Sequence, residues 1–213
     1  MDNFWESKFK SEKTSWGFEP SDSALGACDF FKEKGIKKIL IPGVGYGRNA
    51  TPFCKEGFDV TGIEISQTAI NLANENGFDF PIHPGSVANM PFDKSIYEGI
   101  FCYSMIHLLN KHERKKFLTD CFNQLADGGY MIFTVVSKKS EMYGNGRFLS
   151  KDRYQLTRGL KVFFYDDNSL KNEFEDFGLV EYQEMDEPIK HLKNESPLKC
   201  YLVKCKKNIQ EEI

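Results

Sequence analysis

Ile39-Leu40-Ile41-Pro42-Gly43-Val44-Gly45-Tyr46-Gly47-Arg48-Asn49 is an apolar run that breaks into alternating glycines and then turns polar. The run predicts a buried strand over Lys38 to Ile41, followed by a tight turn and a short helix that Gly57 closes. Pro52 is tolerated because it lies near the first turn of that helix. Glycine suits the turn because a side chain would block the approach of a ligand to the backbone, and because tight turns use positive φ. In an open α/β sheet this first turn lies at a switch point, beyond the carboxyl ends of the strands, where ligands bind.

Outward from that turn, helix and strand signals alternate. Upstream, Ser21 can cap a helix with apolar Ala24, Leu25, Cys28 and Phe31 that ends near Gly35. Downstream come a strand over Phe58 to Glu64 and a helix from Ser66 to Gly77, then strands over Phe80 to His83 and Gly99 to Tyr103. Asn110, with Glu113 three positions on, caps a helix whose stripe is Phe117, Leu118, Cys121, Phe122 and Leu125. A fifth strand spans Tyr130 to Val136. Parallel strands need a crossover between them, so this alternation predicts an α/β, doubly wound, Rossmann-like sheet, mostly parallel and seven-stranded. After a helix over Ser169 to Phe177, the segments Leu179 to Met185 and Lys199 to Cys205 follow without an intervening helix. They are expected to form an antiparallel C-terminal strand pair.

The chain has 213 residues, 28% of them charged and 40% hydrophobic, with a net charge of -3. That length suits one domain over 1–213. The charge offers no basic field for nucleic acid, and no apolar run approaches the ~20 residues that span a bilayer. No signal-peptide pattern opens the sequence, so the expected location is the cytoplasm. The six cysteines form no CxxC pair, and no metal site is expected. Oligomeric state is not legible.

The strand Phe58 to Glu64 ends in an acid 21 residues after Gly43. Such folds place a carboxylate at this separation to accept hydrogen bonds from a ribose diol. The alternative is a solvated strand-end residue without a ligand.

With Gly85-Ser86-Val87-Ala88-Asn89-Met90-Pro91-Phe92 and Leu125-Ala126-Asp127-Gly128-Gly129, these segments resemble the class I S-adenosylmethionine-dependent methyltransferases. That family's usual phrases are "LDxGxGxG", a second acid, "GDxxxLPF" and "LxPGG". Two positions depart from it: Ile41 replaces the acid before the glycines, and Ser86 the acid that often reads the adenine amino group. The phrase Ile41-Pro42-Gly43-Val44-Gly45-Tyr46-Gly47 and Thr14-Ser15-Trp16-Gly17-Phe18-Glu19-Pro20 look like the thiopurine and thiol methyltransferases. Gly47-Arg48-Asn49 and Tyr143-Gly144-Asn145-Gly146 look more like the tellurite-resistance methyltransferases.

The resemblance implies S-adenosylmethionine as cofactor, S-adenosylhomocysteine as product and a small-molecule acceptor, a thiol or metalloid among the candidates. Gly43 and Gly45 would flank the methionine part, Glu64 would hold the ribose and Ile65 would pack on adenine. Ser86 or the backbone of Val87 would supply the adenine contact. Cys102 and Tyr103 would present backbone groups to the methionyl amine. Trp16 would close the site from an N-terminal arm and helix over 1–35, or is a plain core aromatic. His107 follows the fourth strand and is the candidate catalytic base, its near-neutral pKa suiting proton removal; the alternative is a packed histidine. The segment 137–165, with Tyr143, Arg147 and Tyr154, is either a substrate lid or a surface loop. His191 falls in no motif.

Two other readings use the same features. A nicotinamide-dependent dehydrogenase would need GxGxxG, whereas the third glycine here comes one residue early. A non-catalytic cofactor-binding sensor or partner subunit would bind S-adenosylmethionine without turning it over.

Overall fold

The computed structural model describes residues 2–156, 159–192 and 195–209. The N-terminal arm begins with a helix, α1 (Asp2–Glu12). Next, α2 (Asp22–Glu33) starts where Ser21 Oγ accepts the Ala24 amide hydrogen bond. The decisive run is β1 (Lys38–Pro42), and the glycine turn leads through a 3-10 turn into α3 (Thr51–Lys55). Then follow β2 (Asp59–Glu64), α4 (Gln67–Glu75) capped by Ser66, β3 (Ile82–Pro84) and β4 (Tyr97–Cys102). Asn110 and Glu113 form a reciprocal capping box at α5 (Lys111–Asn123).

One boundary differs from the sequence reading. The apolar stripe carries the expected helix to Leu125, but Leu125 already opens β5 (Leu125–Val136) and pairs with Tyr97. The Gln124 carbonyl accepts from the Tyr97 amide (2.8 Å), which draws the chain into the sheet before the glycines are reached.

Segment 137–165 holds a small antiparallel sheet of β6 (Arg147–Ser150), β7 (Arg153–Gln155) and β8 (Lys161–Phe163). Finally, α6 (Asp167–Phe174) precedes β9 (Leu179–Glu187) and β10 (Leu198–Lys206). Lys206 still pairs with Tyr130 within the sheet, and residues 210–213 lie outside the described residues.

The main sheet has seven strands in the order β3-β2-β1-β4-β5-β10-β9. Its first five strands pair in parallel, and β10 runs antiparallel to both β5 and β9. Successive side chains alternate between faces, which sorts the core into two layers. Leu40, Ile100, Met131 and Phe133 pack with Phe117, Leu118, Leu170 and Phe174 of α5 and α6. Ile39, Ile41, Phe101 and Ile132 pack instead with Phe31 of α2 and Phe53 of α3. Each such buried phenylalanine contributes about 1.5–3 kcal/mol of apolar burial. Strands covered on both faces read as continuous apolar runs, as β1 does. The carboxyl ends of β1, β2 and β4 are thereby brought to one edge.

Candidate active site

Beyond those strand ends lies a cavity of about 360 Å³. The glycine turn forms its floor, held by Gly43 and Val44 amides that donate to the Ile63 carbonyl (2.8 and 3.1 Å). Gly45 has φ +60, and a Cβ built there would find only the Phe9 ring, 3.7 Å away. The protein therefore leaves space in front of this backbone.

Glu64, at the end of β2, is buried. Its Oε2 accepts from the Gly45 amide (2.8 Å) and its Oε1 from the Ser66 amide (2.9 Å). Each oxygen keeps a second lone pair, so the carboxylate can still accept two hydroxyl donors. Burial pushes its pKa above the ordinary 4.5, opposed by the amides of Ser66 and Gly45. The open backbone at Gly45 and this buried acceptor fit a ribose-bearing ligand.

The remaining predicted residues divide between cavity and core. Ile65, Ser86, Val87, Tyr103 and Trp16 all line the cavity. Ser86 Oγ accepts from the Ala88 amide (3.3 Å), so part of its capacity is already used. Cys102, the last residue of β4, is wholly enclosed in the core. His107 is buried outside the cavity wall, and burial first, then Arg114, pushes its pKa down to about 3. Its Nδ1 has no hydrogen-bond partner among the described residues.

The sequence reading missed the far half of the wall. Trp5 and Phe9, from α1, face the cavity beside Trp16. Trp16 stacks on Tyr46 (6.4 Å between centroids, 18° between planes), and Lys8 Nζ lies 5.0 Å over the Trp16 ring. Tyr46 donates its hydroxyl to the Gly17 carbonyl (2.6 Å), which ties the arm to the glycine turn. Beyond these rings stand Arg48, Glu187, Lys190 and His191. The Arg48 guanidinium lies 5.5 Å over the Tyr103 ring and donates to the Glu19 carbonyl (3.2 Å). Burial first, then Arg48 and Lys8, holds the His191 pKa below its ordinary 6.5.

This far wall is built by two distant parts of the chain. Glu187, buried at the end of β9, accepts from the Asp22 and Ser23 amides (2.8 and 3.1 Å) at the start of α2. Lys190 donates to the Pro20 carbonyl (2.9 Å) and pairs with Asp22 (2.7 Å) and Glu19 (3.2 Å). Only the arm's aromatic composition and the Arg48 position gave any signal in sequence. Nothing local marks the loop after β9.

None of the described residues in 137–165 lines the cavity. They lie behind it instead: Val162 and Phe164 form a cluster with Leu108, against which Trp5 packs. Among the described residues, no His, Cys, Asp and Glu side chains gather as a metal-ligand cluster.

Residues 40–133 match the family described as "Methyltransferase domain". Among curated proteins, the chain is 28% identical over 153 residues to an uncharacterized methyltransferase of Alkaliphilus oremlandii, covering 70% of each chain. It spans between 37% and 52% of the length of four other curated relatives. Among solved structures, it resembles the 1,6-didemethyltoxoflavin-N1-methyltransferase of Burkholderia thailandensis (TM-score 0.74, 16% identity, covering 98% of this chain and 87% of that one). That protein was crystallised with 1,6-didemethyltoxoflavin and S-adenosylhomocysteine. It also resembles TehB of Haemophilus influenzae (TM-score 0.64, 18% identity, covering 96% and 67%). At these identities the structural likenesses carry the fold.

Proposed function

We propose that the chain, an S-adenosylmethionine-dependent methyltransferase, passes the methyl group to a small acceptor bound against Arg48, Tyr103 and His191, a thiol or metalloid nucleophile among those it admits. The observation that carries this reading is that one cavity is lined both by Glu64 and the open Gly45 backbone and by aromatic rings with a guanidinium and a histidine.

When bound, the cofactor supplies an activated methyl group on a sulfonium, leaving as the neutral thioether when the acceptor's lone pair takes the methyl carbon. The protein's part is to align the acceptor, exclude water and receive a proton where the acceptor carries one. Glu64 holds the ribose, Gly43 and Gly45 flank the methionine part, and Tyr103 offers its backbone to the amine, whereas Cys102 is enclosed in the core. Ile65, Ser86 and Val87 surround the adenine. Trp16, with Trp5 and Phe9, covers the site.

Of the histidines, His191 is suited to accept the proton. It faces the cavity, and its lowered pKa keeps it neutral at physiological pH. His107 is the weaker candidate because its ring is off the wall. Segment 137–165 supports the covering arm rather than the substrate, through Val162 and Phe164 packed with Leu108 and Trp5. A cytoplasmic location fits these roles, and no helix among the described residues is long and apolar enough to cross a membrane.

The test is incubation with S-adenosylmethionine and a panel of small thiols, metalloid oxyanions, phenols and amines, measuring S-adenosylhomocysteine. Turnover with at least one acceptor is expected. Tight binding of S-adenosylmethionine with no turnover on any acceptor would make the chain a sensor. Tight NAD binding and none to either sulfur compound would overturn the cofactor.

A further inference from the structure

Helix α1 presents Trp5 and Phe9 to the cavity, and the Phe9 ring stands over Gly45. A ligand on the glycine turn is therefore covered by this helix, and leaving on that side requires the helix to move. What fastens α1 at that point is a carboxylate. Glu6 Oε2 accepts from Ser66 Oγ (2.7 Å) and the Thr68 amide (3.1 Å), and its Oε1 from Thr68 Oγ1 (2.7 Å). Lys10, one turn along α1, lies 3.1 Å from the same carboxylate.

These donors sit at the N-terminus of α4, where unpaired amides and the helix dipole favour a negative charge. Ser66 is the informative partner, because it stands between two carboxylates. Its hydroxyl donates to Glu6 and its amide to Glu64 (2.9 Å). The residue that fastens the arm thus shares a donor residue with the acid assigned to the ribose.

We propose that Glu6 is a positioning residue for cofactor exchange: bonded to Ser66 and Thr68, it holds α1 over the cavity and sets Ser66 against Glu64. Cofactor and product then leave through opening of this joint. The inference rests on the reading that the cavity holds S-adenosylmethionine. The hydroxyl of Ser66 first, then Thr68, holds the Glu6 pKa down to about 2, so the joint stays charged across the neutral range and opens by movement.

The test uses the rate at which S-adenosylhomocysteine leaves the full-length protein. Both tryptophans of the chain, Trp5 and Trp16, line the cavity, so their fluorescence in stopped flow reports release. Glu6→Gln and Thr68→Val should each release the product roughly 10-fold faster, since each weakens a hydrogen bond to a charged acceptor. The double variant should release it no faster than the faster single one, because both changes open one joint. Thr68→Ser should keep the wild-type rate. A purely structural role would lower the melting temperature and leave release unchanged. Wild-type release from both single variants, or fully multiplicative effects in the double variant, overturns the proposal. If Glu6→Gln does not fold, Thr68→Val decides alone. Failure of the wild type to bind S-adenosylhomocysteine would instead sink the cofactor reading, and this proposal with it.

Discussion

Glu64 and His191 meet opposite demands from the same burial. Burial disfavours the charge on Glu64 and raises its pKa, and the amides of Ser66 and Gly45 oppose that shift. Glu64→Gln keeps the shape but replaces an acceptor oxygen with a donor, so cofactor affinity should fall by about 10 to 100 fold, as loss of one or two bonds to a charged acceptor implies. Calorimetry on wild type and variant, with a 2′-deoxy cofactor analogue, checks this. Equal affinity of the wild type for the deoxy and natural cofactors would remove Glu64 from the ribose. As a solvated strand-end acid, Glu64 would be dispensable for stability, but its burial says otherwise. Glu64→Ala leaves two amides without their acceptor, and thermal melts of the unliganded protein should show a loss on the order of 1–3 kcal/mol. His191 is a usable base because burial and two cations favour its neutral form. For an acceptor that must lose a proton, turnover should decline as pH falls below 6.5, and His191→Asn should abolish that inflection. His107→Asn should keep it, because His107 is already neutral above about pH 3. The reverse outcome in a pH–rate series would return the role to His107.

At the scale of elements, the glycine turn separates ligand space from packing space. An alanine at Gly45 points toward open cavity and costs mainly the strain of its φ of +60, so Gly45→Ala should fold and lose cofactor affinity. At Gly47, with φ +89, a Cβ would come 2.6 Å from the Phe78 ring. Gly47→Ala should therefore lose stability as well, by about 1–3 kcal/mol of overpacking. Parallel thermal melts and binding titrations separate the two, and equal melting temperatures would contradict the distinction. The same contrast explains what was legible beforehand. β1 announces itself because a strand buried on both faces reads as an apolar run, and α2, α4 and α5 because their caps are local. β6, β7 and β8 escape notice because three- and four-residue strands leave too short a period. The far wall escapes because Glu187 and Lys190 find their partners more than 160 residues away, in Asp22, Ser23 and Pro20. No window of sequence holds both sides of such a contact.

For the molecule as a whole, acid should undo the joints between elements before the layered core. Glu6 and Asp166 are both held down to about 2, Glu6 by Ser66 first and Asp166 by Lys138 first. Their pKa values are depressed on folding, so the stability they add is present above about 4.5 and 3.8 and is lost as pH falls toward 2. Glu64 acts with the opposite sign: its raised pKa makes its contribution greatest below 4.5, lost as pH rises through the folded value. Circular dichroism at fixed temperature should show the protein weakening between pH 4.5 and 2, less steeply in Asp166→Asn. An unchanged acid transition in that variant would count against the assignment. The strand order carries a different consequence, for the chain as it is synthesised. β10, made after the other strands of the described residues, lies between β5 and β9. Until it emerges from the ribosome, β5 has an open edge and β9 no strand beside it, and the wall that β9 and its loop give to the cavity is left to its contacts with Pro20, Asp22 and Ser23. The glycine turn and Glu64 can take shape on the nascent chain before β10 is made, whereas the wall after β9 reaches its final place only with it.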